Sequence, residues 1–371
     1  MIHKTYSVSP EKLVEEAQHQ IDTAPDRAEK LLRQAMSQPG PRSSDAETAL
    51  CGLLAVRGDW DQALPMFDEL SLEGAPTEFL VRFGTLACRA GRLPEGTRAL
   101  EEVRRRNLPE SLDALEVLQG VYRDRDDQPR MLDCLRELAR RDPGQVDRWR
   151  LLVRELEARH LDTEAVAALR EALGQDLSRT AAAGLRHQLI SRLIQLGNST
   201  AAREELARLI SDAGESPPTQ LHAAALARLE GNPRAALETL QQAVVQVGEN
   251  PGVIRLRGLI YLDLGRFVDA AEDFRICIEE DAFDPISQFK LAEAYRGLGQ
   301  TELARTHTRI AAEIREKRQE INRLSSAARQ RPPDRQECER LAELYRELND
   351  SQSAARWDQR ARDLREPPPR R

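Results

Sequence analysis

A step of 34 residues along the chain returns the same residue types again and again. From Pro217 it gives Pro251 and Pro285, and from Gly197 it gives Gly231, Gly265 and Gly299. Ala202, Ala236, Ala270 and Ala304 form a third ladder at that spacing, and Leu206, Leu240 and Phe274 a fourth. A chain built from one short unit repeated many times has no single centre to fold around. Each unit must bury its apolar side against the units before and after it, which makes a solenoid.

Every ladder has a physical reason. The glycine follows a first helix and supplies the positive φ that ends it. The alanine sits early in the second helix, where two helices approach closely and a larger side chain would force them apart. The Leu or Phe four residues on shares that face. The proline lies between units, where its fixed φ and missing N–H suit a helix's first turn.

Unit 251–284 carries Gly258, Tyr261, Leu264-Gly265, Ala270 and Phe274, and unit 285–318 carries Leu291, Ala292, Tyr295, Leu298-Gly299 and Ala304. In these residues the chain resembles the tetratricopeptide-repeat family, whose period is also about 34 residues. The register extends over 9–42, 44–76, 77–111, 112–145, 146–182, 183–216 and 217–250. Trp149 and Leu152 stand at the spacing of the family's Trp-x-x-Leu. Asp126 and Met131 replace the expected Gly and Ala in 112–145, and Gly96 stands at the Ala position of 77–111.

Near the C-terminus the run Leu341 to Asn349 mirrors Leu291 to Gly299 at an offset of 50, so 16 residues are inserted across 319–334. Residues 301–329 hold neither Gly nor Pro, and Pro332-Pro333 follow. The spacing predicts one long helix from about Thr301 to Arg329, a final repeat over 335–366, and tails at 1–8 and 367–371. The expected fold is all-α, a right-handed superhelical solenoid of about ten helix-turn-helix repeats and some twenty helices.

Composition bounds the function. Ala, Leu, Glu, Arg and Gln dominate, and aromatics are only 4%, which suits helices and not sheets. The formal net charge of −7 argues against general nucleic-acid binding. No stretch approaches the ~20 apolar residues of a membrane span, and the N-terminus has no apolar core of a secretory signal. Cys51, Cys88, Cys134, Cys277 and Cys338 are odd in number and scattered. They form neither a disulfide framework nor a zinc knuckle, and a cytoplasmic setting is expected.

Searching for chemistry returns little. No two of the six histidines have helical zinc spacing, and neither a phosphate loop nor a nucleophile elbow occurs. We expect no catalytic residue, no metal and no cofactor, hence no enzyme. Cys277 takes a small-residue position, which suits a buried apolar group more than a reactive thiol. Trp60 and Trp149 are expected to fill gaps between helices, and for Trp357 in the last helix an exposed end face that docks a partner is the lesser of two readings.

What the resemblance implies is a groove lined by first helices, at positions 2, 5, 9 and 12 of each repeat. These read as two stretches. Arg123, Arg150, Arg154 and His187 make a cationic one suited to a carboxylate or an acidic peptide. Leu221, Leu259, Leu262, Ile286 and Phe289 make an apolar one suited to an amphipathic helix or extended peptide. Against these stand two plainer readings: surface Arg-Glu pairing for the first, burial under the next helix for the second. Position 9 lacks the asparagine with which some family members clamp a C-terminal carboxylate, so tails of Hsp70 or Hsp90 are not expected partners. The expected role is a non-catalytic scaffold for another protein or peptide. The alternatives are a regulatory or substrate-recruiting subunit of an enzyme complex, and a helical-repeat RNA binder.

Overall fold

In a computed structural model of the chain, residues 9–21, 23–38, 44–125, 127–330 and 333–364 are described. They form twenty α-helices, one short 3-10 turn and no strand. Asp126, read above as a departure from the repeat, lies outside the described residues.

The chain divides into two compact units. Met1–Asp142 holds α1 (Pro10–Gln20), α2 (Pro25–Met36), α3 (Ser44–Arg57), α4 (Trp60–Glu69), α5 (Thr77–Arg89), α6 (Leu93–Arg106), α7 (Ser111–Asp124) and α8 (Gln128–Arg141). Pro143–Arg371 begins with α9 (Val146–Glu157), α10 (Asp162–Leu173), α11 (Arg179–Gln195), α12 (Ser199–Ala213), α13 (Pro217–Leu229) and α14 (Pro233–Val247). It continues with α15 (Pro251–Asp263), α16 (Phe267–Glu280), α17 (Pro285–Gly297), α18 (Thr301–Gln330), α19 (Arg335–Glu347) and α20 (Ser351–Asp363).

The glycine ladder closes the hairpins. Gly265 has φ +70°. Its N–H reaches back to Leu262 O at 3.0 Å, and that of Arg266 to Tyr261 O at 2.8 Å. Together these satisfy two of the carbonyls that a helix end leaves unpaired. The same two bonds recur at Gly58, Gly91, Gly197, Gly231 and Gly299, with His160 and Asn349 as non-glycine substitutes.

The proline ladder opens the first helices. Pro217, Pro251 and Pro285 each begin one, and the residue before each caps it. Ser216, Asn250 and Asp284 accept from the backbone N–H of Thr219, Val253 and Ile286. These caps are themselves a 34-residue ladder, legible in the sequence once the prolines are aligned.

The alanine and Leu/Phe ladders make the core. Ala202, Ala236, Ala270 and Ala304 are buried, as are Leu206, Leu240 and Phe274. Burial is organised in local clusters. One joins Ala224, Ala236, Leu240, Val253 and Ile260, and the next joins Ala270, Ala271, Phe274, Leu291 and Ala294. Under the Phe274 ring sits Gly258, where a Cβ would stand 3.1 Å from Cζ. The odd Gly96 also has a reason. It faces Gly84 where α5 meets α6, and the two helices approach too closely for any side chain there.

Residues 319–330 of the insertion continue the preceding helix. α18 is a single helix of 30 residues. Ile321 and Leu324 of its second half pack with Leu341 and Leu344 of α19, and Trp357 of α20 rests on that cluster.

Candidate functional site

In the second unit the expected groove residues lie on the first helices α9, α11, α13, α15 and α17. Leu221 packs against the cluster around Leu240, and Leu259 and Leu262 against that around Phe274. All three are only half-buried, yet most of their apolar surface is used within the stack. Ile286 and Phe289 on α17 remain exposed, at 56% and 38%. Lys290 Nζ and the Arg296 guanidinium each stand 5.9 Å from the Phe289 ring centroid, within cation–π range.

The arginines divide in the same way. Arg228 pairs with Asp263 at 3.0 Å, and Arg255 with Asp284 at 3.2 Å, each reaching one repeat onward. Arg192 bonds Asp162 at 3.0 Å and also Glu157. Arg150 is exposed, bonds Asp147 at 3.2 Å, and lies over Gly184 of α11. The Arg154 side chain is exposed and makes no hydrogen bond or ion pair among the described residues. Arg123 bonds Gln119 on its own helix. It belongs to the first unit and the other eight expected residues to the second, so each part is taken within its own unit.

His187 joins a partner that sequence reasoning did not assign to it. Its Nδ1 stands 3.0 Å from Nε2 of His222 on α13, with ring centroids 5.1 Å apart. One neutral ring donates an N–H to the other's lone pair. Their separation in sequence is one repeat plus one residue, so a step of 34 narrowly misses it. Beside His187 lies an open recess of about 240 Å³ lined by Glu157, Gln188, Ser191, Arg192 and Gln195.

Burial pushes both imidazoles below their usual value of 6.5, and His222, which also feels His187, falls to about 4. A depressed folded pKa means that the unfolded chain binds more protons between about pH 6.5 and pH 4. Stability is therefore complete above that window and is lost as pH falls through it, by roughly 3 kcal/mol for His222. Denaturant titrations in EDTA at pH 7.5 and pH 4.5 should show this loss, and His222→Gln should reduce it. An unchanged difference between the two pH values in that variant would rule out His222 as the source.

The first unit holds a recess of about 220 Å³ on its own first helices. Gln18 and Ile21 at the end of α1, Ala49, Gly52, Leu53 and Val56 of α3, and Phe79 of α5 form its walls. The recess exists because Gly52 has no side chain: a Cβ there would only touch the Phe79 ring, at 3.5 Å. Val56 is 48% exposed at its edge. Asp45, Glu78 and Arg82, all exposed, give it a polar rim. Positions 2, 5 and 9 of unit 44–76 are Asp45, Thr48 and Gly52, so the stripe read above would have found this site had it been extended to that unit.

Comparison with known proteins agrees with the repeat. A model of the tetratricopeptide repeat matches residues 224–285 and again 255–317, about a quarter of the chain. The protein carries tetratricopeptide repeats. No curated protein matches the sequence. Among solved structures, the human IFIT1 dimer with m7Gppp-AAAA is 15% identical, with 99% of this chain and 92% of that one covered, at a TM-score of 0.41. The APC/C hetero-tetramer Cut9-Hcn1 is 13% identical over 96% of this chain and 81% of that one, at 0.40. MamA AMB-1 is 18% identical over 48% of this chain and 95% of that one, at 0.30. At such identities and scores, these likenesses say nothing of what this repeat protein binds.

The thiols of the repeat protein are inert in their setting. Burial pushes Cys51 and Cys134 up to about 12 and Cys88 to about 11, far from the thiolate that reacts. Cys277 is buried as well. Trp149 is fully buried and donates its indole N–H to Pro143 O at 3.2 Å. Trp60 meets Phe83 edge-on at 6.1 Å. No described helix is long and apolar enough to cross a membrane.

Proposed function

We propose that this repeat protein is a non-catalytic scaffold that holds a segment of another protein against its first helices. The observation that carries this reading is the recess of the first unit. Three successive first helices leave an open, largely apolar hollow with a polar rim, the form in which side-chain anchors of a peptide are received. Ile286 and Phe289 offer a second exposed apolar contact on α17. The negative net charge favours a protein over a nucleic acid as partner. Five unpaired thiols, four of them buried, suit a reducing cytoplasm.

Two substitutions test the recess without disturbing the core. Val56→Asp places a charge on its exposed edge. Gly52→Leu puts a side chain into it at a position where a Cβ meets only ring atoms of Phe79 at ordinary contact distance. Both variants should keep the helical spectrum and melting temperature of the parent. Each should lose partners captured from the native cell, with a fall in affinity of about tenfold or more, equivalent to about 1.4 kcal/mol. Ile286→Asp/Phe289→Asp asks the same of α17. Retention of every partner by all of these folded variants would end this reading.

A further inference from the structure

We propose that His187 and His222 form a labile binding site for an imidazole-seeking divalent metal ion of the zinc class.

The placement of the two rings is the first ground. They lie on successive first helices, α11 and α13. Leu185, Leu189 and Ile190 bury one face of α11, and Thr219 and Ala224 are buried on α13. The helix packing therefore sets the distance between the two side chains, and little ordering is left for a metal to impose.

The distance itself is the second ground. Metal–imidazole bonds of about 2.0–2.1 Å put two ligating nitrogens about 2.9 Å apart at a right angle and about 3.3 Å apart at the tetrahedral angle. Nδ1 of His187 and Nε2 of His222 stand 3.0 Å apart, so their spacing already suits one ion, and each ring turns by roughly 40° off the N···N line to aim its lone pair at it. The exchange balances without releasing a proton. In the hydrogen-bonded pair one ring already has its lone pair facing inward. The donor ring moves its proton to its other nitrogen, and the ion takes the place of the N–H between them.

The surroundings are the third ground. His187 lines the open polar recess of about 240 Å³, which gives room for coordinated water. The one guanidinium lining it, Arg192, is already neutralised by Glu157 and Asp162. No group of three or more His, Cys, Asp and Glu side chains is placed to hold a metal among the described residues. The site therefore has two protein ligands and completes its shell with water, an exchangeable site rather than a structural centre. Imidazole ligands select zinc, copper and nickel over magnesium and calcium.

The test uses the full chain carrying His3→Ala, which removes the imidazole near the N-terminus, with Zn²⁺ as the probe in isothermal titration at pH 7.5. One Zn²⁺ per chain is expected, unaffected by excess Mg²⁺, together with a rise in melting temperature. His187→Gln and His222→Gln keep a polar side chain at each place and should each weaken binding tenfold or more. His187 is the more exposed of the two, so its variant carries the test if His222→Gln does not fold. Absence of Zn²⁺ binding in the parent, or undiminished binding in a folded His187→Gln variant, would overturn the proposal.

Discussion

Replacing Gly96 by valine is expected to unfold the first unit at temperatures where the parent is intact. A Cβ at Gly96 would stand 2.6 Å from Cys88 Sγ and 2.9 Å from both Cys88 N and Gly84 O. Two of those three atoms are backbone, so no rotamer change relieves the clash. Gly84 is bound by the same crossing, with a Cβ there only 3.0 Å from Gly96 O and 2.6 Å from Leu100 Cγ. α5 and α6 must separate, and the buried contacts of Leu80, Phe83, Ala99 and Leu100 loosen with them. The cost should be about 3 kcal/mol or more, with a fall in melting temperature on the order of 10 °C. Gly120→Ala is the control. It lies within α7 with nothing within 4 Å of its Cβ position, and should stabilise by about 0.4–1 kcal/mol. Equal melting of both variants and the parent would show that the two helices do not cross as described.

Phe274→Ala should cost about 3–5 kcal/mol. The ring is fully buried and forms the centre of the cluster that joins α15, α16 and α17. Because each cluster in such a stack is local, the damage should stay near it. Unfolding should become less cooperative, with helices of the first unit retaining their parent stability in hydrogen exchange. Gly258 supplies an internal check. Its missing Cβ would press on Cζ and Cε2 of Phe274 at 3.1 and 3.2 Å, so Gly258→Ala should destabilise the parent. With Phe274 already alanine, much of that pressure is gone and the same substitution should cost less. Strict additivity of the two changes would contradict the packing described.

The hairpins were legible in the sequence because what makes them is local. A glycine at positive φ, a proline at the first turn and a small residue at a close crossing each act within a few residues of themselves. Gly96 was read as a departure from the alanine ladder, and only the opposing Gly84 explains it, since the fit depends on two helices at once. The groove was harder for the same reason. Whether Arg228, Arg255 and Arg192 are free or paired depends on how far they reach toward Asp263, Asp284 and Asp162 on other helices. Leu221, Leu259 and Leu262 belong to the stripe read from the sequence, and most of their surface is spent on neighbouring helices. The recess at Gly52 is defined by a side chain that is not there, which a search for sticky or charged residues passes over.

α18 couples the last hairpin to the rest of its unit in an unusual way. Between α15–α16 and α17, for example, one pair of helices meets the next through the short connection 281–284, and such a connection tolerates an extra residue by changing its path. Residues 301–330 are one uninterrupted helix, so along that stretch helical phase replaces loop geometry. One residue inserted near Arg318 would rotate everything beyond it by about 100° and advance it by about 1.5 Å. Ile321 and Leu324 would turn together with Leu341 and Leu344, and Lys317, left behind, would lose Glu347, which it pairs with at 3.0 Å. Along α18 the count of residues is therefore as constrained as their chemistry.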